Sequence, residues 1–501
     1  MVEVKVTGGV IRGYEKDGYV GFRGIPYAKP PIGELRWKRP EPVEPWEGVK
    51  DCFEFGSPCC QAESQRIPGG DPEDRGVFDD GSEDCLFINV FTPDVKAKKL
   101  PVLFWSHGGA HCCGSGGGKN GIPDAFVSRG VVYVSYNYRL GLMGYFVHPE
   151  LQAENAERSA GNYAHWDQLF ALKWVKENIA AFGGDPDNIT IAGCSAGAGA
   201  TQVLMNSPLA EGLFARAIVE SSLGLESSSY PEDDKLQSME DMAARGVEFM
   251  ERCGAKNLAE LRAMPYEKMI DFPEAAFRRK FHYGTVMGTN EDGYLIPVIH
   301  SKNQESVRNA NVPCIVCVTN DEGGEHILRM GRKLFEEQSA AVFGDAIGEY
   351  LELAAMKDDE SAVKAARDTH LKFAGSKVFA ELSAKAGKEP VWVCDFMHPH
   401  PEIGRAVHGT ETQYLAGTHK RFSNLTPDDD KVADVMQTYW INFIKTGNPN
   451  GGGLPEWEPY SAENRKVLYL DADPKVLDDA EAENPLLKFT REFLEKKLIK
   501  D

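Results

Sequence analysis

A serine flanked by glycines is the residue of this sequence best suited to covalent chemistry. Ser195 lies in the segment GCSAG (193–197), which follows the short β-rich run 189–192 and precedes a helix-compatible stretch. A strand–turn–helix unit of this kind presents a serine hydroxyl on a sharp turn, where it can act as a nucleophile. The two glycines let strand and helix approach closely, and the N–H of Ala196 is expected to point toward a developing oxyanion. The pattern predicts acyl transfer through Ser195.

A second glycine-rich segment precedes the serine in the chain. The run 102–105 leads into His107-Gly108-Gly109-Ala110. Esterases with a nucleophilic elbow carry an HGG-type loop after an early strand, and its N–H groups bind the oxyanion. Glycine suits this loop because the backbone must come close to the substrate carbonyl. We therefore expect an oxyanion loop here.

A nucleophilic serine needs a base and an orienting acid, which follow it in the order acid, then histidine. Asp321 and Glu322 follow the β-rich run 314–318, and both qualify as the acid. His408 lies on a glycine-flanked loop (VHGTE, 407–411), but spacing alone does not select it. The other histidines after the serine are His282, His300, His326, His370, His398, His400 and His419.

The elements that must position these groups alternate between strands and helices. Short apolar runs suited to strands buried on both faces occur at 102–105, 131–136, 189–192, 217–219, 314–318, 391–394 and 467–470. Helical spacing of apolar residues marks 166–181 and 485–499. This alternation predicts an α/β fold with a mostly parallel sheet and helices on both faces. Helical insertions are predicted around 237–281 and 333–386, as caps or as decoration.

Composition excludes several function classes. The 501 residues carry a formal net charge of −21, and no basic footprint for nucleic acid is visible. No window reaches the roughly 18 apolar residues of a membrane span. The N-terminal MVEVKVTGG lacks a signal-peptide pattern, so a cytoplasmic protein is expected, with a mature secreted form left open. The 11 scattered cysteines are expected to be mostly thiols.

Motifs along nearly the whole chain match one family. The matching segments are 22–37 (FRGIPYAKPPIGELRW), 83–90 (EDCLFINV), 137–141 (NYRLG), 182–190 (FGGDPDNIT), 439–443 (YWINF) and 446–450 (TGNPN). With the elbow and the HGG loop, they make the chain resemble the type-B carboxylesterases, the family that includes the cholinesterases.

The resemblance implies a single α/β-hydrolase domain over residues 1–501. It favours Glu322 over Asp321 as the acid, because the family acid is the glutamate of a D-E-G sequence. His408 is the implied base. The implied oxyanion hole consists of Gly108, Gly109, Ala110 and Ala196. No cofactor and no metal is implied, and the expected partner is a small-molecule ester, with no nucleic acid or membrane. The oligomeric state is left open, and a monomer is compatible with the sequence.

Departures from the family pattern concern specificity. Cys194 replaces the usual glutamate before the nucleophile, and residues 60–85 contain no tryptophan of the kind that binds choline. A cholinesterase is therefore not expected. After the oxyanion loop, His111 stands where the family usually has a large apolar residue. It could form a polar wall of the pocket, or the change could be a variation in packing. The resemblance also relates Cys60 and Cys85 to a family disulfide.

Three other functions are compatible with the sequence. A specialised esterase could act on a carbamate, a sugar ester or a natural-product ester. A lipase would be activated above the solubility limit of its substrate. A non-catalytic member of the family would be expected to have lost triad residues, and this chain retains all three.

Overall fold

The computed structural model describes most of the chain. The described residues are 1–16, 18–61, 81–117, 124–222, 239–270, 289–290, 292–296, 310–322, 332–358, 360–362, 365, 371–479 and 484–498. They divide into two compact units. Unit 1 comprises residues 1–215 and 236–298, and unit 2 comprises residues 216–235 and 299–501. The expectation of a single domain over residues 1–501 stays a prediction.

Unit 1 contains the elements that lead to the serine. Its strands are β1 (Val2–Val6), β2 (Gly9–Lys16), β3 (Tyr19–Pro26), β4 (Val49–Asp51), β5 (Phe87–Thr92), β6 (Leu100–Ser106), β7 (Val132–Tyr136) and β8 (Gly184–Cys194). They lie in the order β1-β2-β3-β5-β7-β6-β8, and β4 pairs with β2. The pairs from β1 to β7 along this order are antiparallel, whereas β6 is parallel to both β7 and β8.

The described helices of unit 1 follow the strands or lie between them. They are α1 (Asp124–Val127), α2 (Gly141–Tyr145), α3 (Pro149–Ala153), α4 (Tyr163–Asn178), α5 (Ala196–Asn206), α6 (Met239–Arg252), α7 (Leu258–Arg262) and α8 (Glu267–Ile270). Helix α5 follows β8 directly and packs against β8 and β6.

Unit 2 is built around parallel strands. They are β9 (Arg216–Glu220), β10 (Cys314–Thr319), β11 (Val391–Phe396) and β12 (Lys466–Leu470), in that order, with the antiparallel strand β13 (Lys475–Asp478) beside β12. The described helices are α9 (Arg332–Phe343), α10 (Ile347–Ala354), α11 (Leu371–Lys385), α12 (Thr410–Leu415), α13 (Pro427–Thr446) and α14 (Pro485–Leu498).

The apolar runs form strands because both of their faces are covered. Every residue of β7, β10 and β11 is buried, which matches the continuous apolar sequence of a parallel sheet strand. Each of the seven predicted strands is confirmed. Helix α4 confirms most of the prediction at 166–181, whose last residues belong to the 3-10 helix Ile179–Phe182. Helix α14 confirms most of the one at 485–499, whose last residue lies outside the described part.

The two predicted insertions are described in part. Helices α6, α7 and α8 lie in the first, whose residues 237–238 and 271–281 fall outside the described residues. In the second, α11 packs against β10 and β11, and its buried Lys377 bonds to Asp395 at 3.3 Å and to Asp479 at 3.1 Å. Helix α11 therefore covers strands of unit 2. The role of the insertions as caps stays a prediction.

Candidate active site

Ser195 occupies a strained turn between a strand and a helix. Strand β8 ends at Cys194 and α5 begins at Ala196, so the turn consists of the serine alone. Its backbone has φ 57° and ψ −125°, a conformation that residues with a side chain rarely adopt. Such strain is tolerated where it aims a reactive side chain. The side chain is only partly buried.

Close contacts explain the glycines on either side of Ser195. A Cβ atom on Gly193 would lie 2.4 Å from the backbone carbonyl carbon of Gly197. A Cβ atom on Gly197 would lie 2.1 Å from the carbonyl oxygen of Ser106, at the end of β6. Because backbone atoms cannot move aside as a flexible side chain can, both positions require glycine.

The HGG loop lies against the serine. Strands β6 and β8 are parallel and pair Ser106 with Gly193, so the loop after β6 and the elbow after β8 begin side by side. A Cβ atom on Gly108 would lie 3.3 Å from Cβ of Ser195. Substituting Gly108 would therefore crowd the nucleophile itself.

Backbone N–H groups near Ser195 are available to a ligand. Among the described residues, the N–H groups of Gly109 and Ala110 have no hydrogen-bond acceptor. Ala196 is the first residue of α5, and the first-turn N–H groups of a helix lack intrahelical partners. The macrodipole of the helix favours negative charge at this end.

Side-chain contacts fix the shape of the loop. The ring of His107 stacks on Tyr138 with a centroid distance of 4.3 Å, and the Tyr138 hydroxyl donates to the His107 carbonyl oxygen at 2.7 Å. Burial lowers the pKa of His107 to about 4, so its ring is neutral at ordinary pH. Gln61 bonds Gly114 twice, donating to its carbonyl at 2.7 Å and accepting from its N–H at 2.9 Å.

Unit 2 contains a histidine–carboxylate pair. Nδ1 of His408 lies 2.6 Å from Oε2 of Glu322. The other carboxylate oxygen, Oε1, accepts hydrogen bonds from the Thr319 hydroxyl at 3.0 Å and the Thr319 N–H at 3.3 Å. The Glu322 side chain is 1% exposed and that of His408 is 34% exposed. A buried carboxylate thus holds one ring nitrogen of an accessible imidazole.

The neighbouring carboxylate has a different partner. Oδ2 of Asp321 lies 2.6 Å from Nη1 of Arg405, and the Asp321 N–H donates to the Ala406 carbonyl at 2.9 Å. Of the two candidate acids, Glu322 contacts His408 and Asp321 pairs with an arginine.

The competing histidines have other partners where they are described. His398 lies 2.7 Å from a carboxylate oxygen of Asp471, and His419 lies 3.1 Å from one of Asp430. The ring of His400 packs on Phe422 with a centroid distance of 4.1 Å. The remaining four, His282, His300, His326 and His370, lie outside the described residues.

A second buried carboxyl group near the pair was not identified from the sequence as functional. Glu411 is fully buried and accepts a hydrogen bond from the Ser221 hydroxyl. Burial, followed by the charge of Glu322, raises the pKa of Glu411 to about 7. Glu220 is also buried, accepts from Trp440 Nε1 at 2.8 Å, and has a raised pKa for the same main reason. The HGTE segment contains Glu411, but only the fold brings Ser221 to it.

Comparison with known proteins identifies the family. The family model described as "Carboxylesterase family" matches residues 1–487. The chain is 32% identical to the para-nitrobenzyl esterase of Bacillus subtilis, over 95% of this chain and 96% of that protein. The chain belongs to the carboxylesterase family. It is 31% identical to the liver carboxylesterase of Sus scrofa, over 88% of this chain and 83% of the relative.

Solved structures agree with this membership. A structure of the PNB esterase superposes with a TM-score of 0.81 and 29% identity, covering 100% of this chain and 99% of the other. A carboxylesterase of Geobacillus stearothermophilus gives a TM-score of 0.80 and 30% identity, covering 97% and 99%. The chain therefore has the α/β-hydrolase fold, and its enzyme class is that of the carboxylic ester hydrolases.

The cysteines of this carboxylesterase are all thiols. Cys60 and Cys85, which the resemblance relates to a family disulfide, are buried, and the sulfur of each contacts Cys59. Cys314 and Cys317 lie within β10. Among the described residues, no group of three or more histidine, cysteine, aspartate or glutamate side chains is arranged to hold a metal. Within the same residues, no helix is long and apolar enough to cross a bilayer.

Proposed function

We propose that the protein hydrolyses carboxylic esters of small molecules through a Ser195–His408–Glu322 triad and an acyl-enzyme intermediate. The observation that carries the proposal is the contact of 2.6 Å between His408 and the buried Glu322. A carboxylate in this position fixes the imidazole tautomer, so that the ring nitrogen facing away from it is free to accept a proton.

In the proposed acylation step, Oγ of Ser195 attacks the ester carbonyl carbon and transfers its proton to Nε2 of His408. The negative charge that forms on the carbonyl oxygen is bound by N–H groups of Gly109, Ala110 and Ala196, and Gly108 permits their approach. The C–O bond to the alcohol then breaks, and His408 returns the proton to the leaving oxygen.

Deacylation repeats the same chemistry with water. His408 removes a proton from the water molecule as it attacks the acyl carbon, and the acid leaves when Ser195 recovers its proton. Throughout, Glu322 stabilises the imidazolium and stays ionised. No cofactor or metal takes part in the proposed cycle.

The proposal also concerns the class of ester that the enzyme hydrolyses. A relative that is 31% identical over 92% of this chain is named fumonisin B1 esterase, and another is named para-nitrobenzyl esterase, so relatives at similar distance are named for different esters. We infer a neutral or cationic small-molecule ester as the substrate class, because the net charge of −21 disfavours anionic ligands.

Hydrolysis of a p-nitrophenyl ester series, from acetate to decanoate, tests the proposal. Wild type should release p-nitrophenol with a maximum at short or medium chain length. The Ser195→Ala variant should lose about 10⁴-fold or more in kcat while keeping its far-UV circular dichroism spectrum. Turnover by the variant close to that of wild type would contradict the role of Ser195. Hydrolysis that becomes fast only when the ester concentration exceeds the solubility limit of the ester would indicate a lipase instead.

A further inference from the structure

His111 follows the oxyanion loop, and the conformation and hydrogen bond of its own backbone fix its position. It comes directly after Ala110, with φ 58°, and its carbonyl oxygen accepts a hydrogen bond from the Gly141 N–H at 2.7 Å. A left-handed conformation and a short hydrogen bond together fix the direction in which the side chain leaves the loop.

The tautomer of His111 is set by Tyr145. The Tyr145 hydroxyl oxygen lies 2.8 Å from Nδ1 of His111, and within the described chain this is its one hydrogen bond. A buried hydroxyl that only accepted would leave its own hydrogen unpaired, which is costly. The hydroxyl therefore donates to Nδ1, and the ring proton of His111 lies on Nε2.

A second histidine packs against the ring of His111. His165 packs edge-on against His111 with a centroid distance of 5.6 Å. It lies 2.7 Å from the side-chain oxygen of Gln168 and 2.8 Å from the hydroxyl of Thr289, so both of its nitrogens are engaged. Burial, together with the neighbouring His165, lowers the pKa of His111 to about 3, so the ring is neutral at working pH.

Nε2 of His111 faces the helix that begins at the nucleophile. A Cβ atom on Gly199 would lie 3.7 Å from this nitrogen. Gly199 is four residues after Ser195 and donates its N–H to the Ser195 carbonyl at 2.9 Å, so it lies in the first turn of α5, next to the nucleophile. Both are partly exposed, whereas the three residues between them are buried. Among the described residues, the one hydrogen bond of the His111 ring is the one at Nδ1.

We propose that His111 is a specificity-determining residue whose Nε2–H donates a hydrogen bond to the substrate. The enzyme would then prefer esters with a neutral acceptor, such as an ether, hydroxyl or ketone oxygen, a few atoms from the reacting carbonyl. The inference rests on the proposed esterase function. It follows from the hydrogen bond that leaves the ring proton on Nε2 and from the position of this nitrogen beside Gly199, four residues after the nucleophile.

Matched pairs of esters test this inference. On the acyl side, p-nitrophenyl methoxyacetate and p-nitrophenyl butyrate differ by an oxygen in place of one methylene. On the alcohol side, 2-methoxyethyl butyrate and butyl butyrate differ in the same way. The measured quantity is the ratio of kcat/KM between partners, in wild type and in His111→Phe. Comparing the two enzymes cancels the different intrinsic reactivities of the esters.

We expect His111→Phe to lower the ether-to-methylene ratio by about tenfold in one of the two pairs, which also assigns the side that His111 contacts. Its kcat/KM for the all-carbon ester should stay near that of wild type. Tyr145→Phe, which keeps His111 but releases its tautomer, should lower the same ratio by a smaller factor. If His111→Phe does not fold, this second variant gives the result.

Unchanged ratios in both pairs would overturn the inference. An equal fall for all the esters would also overturn it, because His111 would then act only by shaping the oxyanion loop. If wild type hydrolysed none of the esters, the proposed esterase function would fail, and this inference with it. Wild-type turnover that Ser195→Ala abolishes, with unchanged ratios in His111→Phe, would refute the specificity role alone.

Discussion

At the residue scale, two adjacent carboxylates have opposite environments. Both are buried, but Glu322 contacts an imidazole, whereas Asp321 is paired with the guanidinium of Arg405. An arginine keeps its partner ionised but cannot accept a proton, so the Asp321 pair suits a structural role. The two residues are adjacent in the sequence and both are carboxylic acids. Residue type alone therefore does not show which of them is the triad acid.

Replacing each carboxylate by its amide should separate the two roles. Glu322→Gln should lower kcat by roughly 10⁴-fold, because an amide neither fixes the tautomer of His408 nor stabilises the imidazolium. Asp321→Asn is the matched control and should keep kcat within about tenfold of wild type. Both are measured with p-nitrophenyl butyrate. A larger loss in Asp321→Asn than in Glu322→Gln would move the acid to Asp321.

Glu411 should make stability depend on pH. Its pKa rises from an ordinary 4.5 to about 7 in the folded protein, mainly through burial. Between these values the folded protein retains a proton that the unfolded chain has lost. Unfolding therefore becomes easier as pH rises through this window, and the contribution is complete below it.

The Glu411→Gln variant should lose this dependence. Glutamine imitates the protonated carboxyl group and does not titrate, so the variant should gain thermal stability relative to wild type between about pH 5 and pH 7. The measurement is the thermal unfolding midpoint of both proteins at each pH. Parallel pH profiles for the two proteins would show that Glu411 does not carry the raised pKa.

At the scale of elements, the elbow depends on how closely α5 approaches β6. Helix α5 starts one residue after Ser195, and Gly197 in its first turn meets the carbonyl oxygens at the end of β6. Gly199, two residues later in the same helix, has open space except for the ring of His111. Close packing therefore requires glycine at position 197, whereas position 199 of the same helix has room for a side chain.

Alanine at these two positions should change stability in opposite directions. Gly197→Ala should destabilise the protein by about 1–3 kcal/mol or more, since its methyl group would overlap the backbone of Ser106 and His107. Gly199→Ala should stabilise it by about 0.5–1 kcal/mol, the usual gain of alanine over glycine within a helix. Thermal unfolding followed by circular dichroism measures both. Equal midpoints would contradict the packing described for the elbow.

The elements that the sequence predicts are those buried on both faces. Strands β7, β10 and β11 consist of continuous buried runs, and their sequences show it. Strands β1 to β5 and β13 went unpredicted, and β1 and β2 show one reason. They alternate buried and exposed positions, include glycine and charged residues, and pair antiparallel, so they contain no apolar run. Their place in the sheet depends on partners that local sequence does not reveal.

At the scale of the whole molecule, how well a contact can be predicted depends on how far apart its two residues lie in the sequence. Ser195 and its glycines form one local motif, which the sequence displays completely. The contact between Glu322 and His408 joins residues 86 positions apart, and the choice of these two depended on the family resemblance. The contact between Ser221 and Glu411 joins residues 190 positions apart and was not predicted, because no local pattern marks it.

The central claim is that Ser195 is an activated nucleophile, and covalent labelling tests it without knowledge of the natural ester. A fluorophosphonate probe should react with the native enzyme, with the Ser195 oxygen displacing fluoride from phosphorus, because His408 removes the serine proton. Peptide mass spectrometry should locate a single phosphonyl adduct on Ser195, and Ser195→Ala and heat-denatured wild type should remain unlabelled. An unlabelled native enzyme, or an adduct on another serine, would contradict the account.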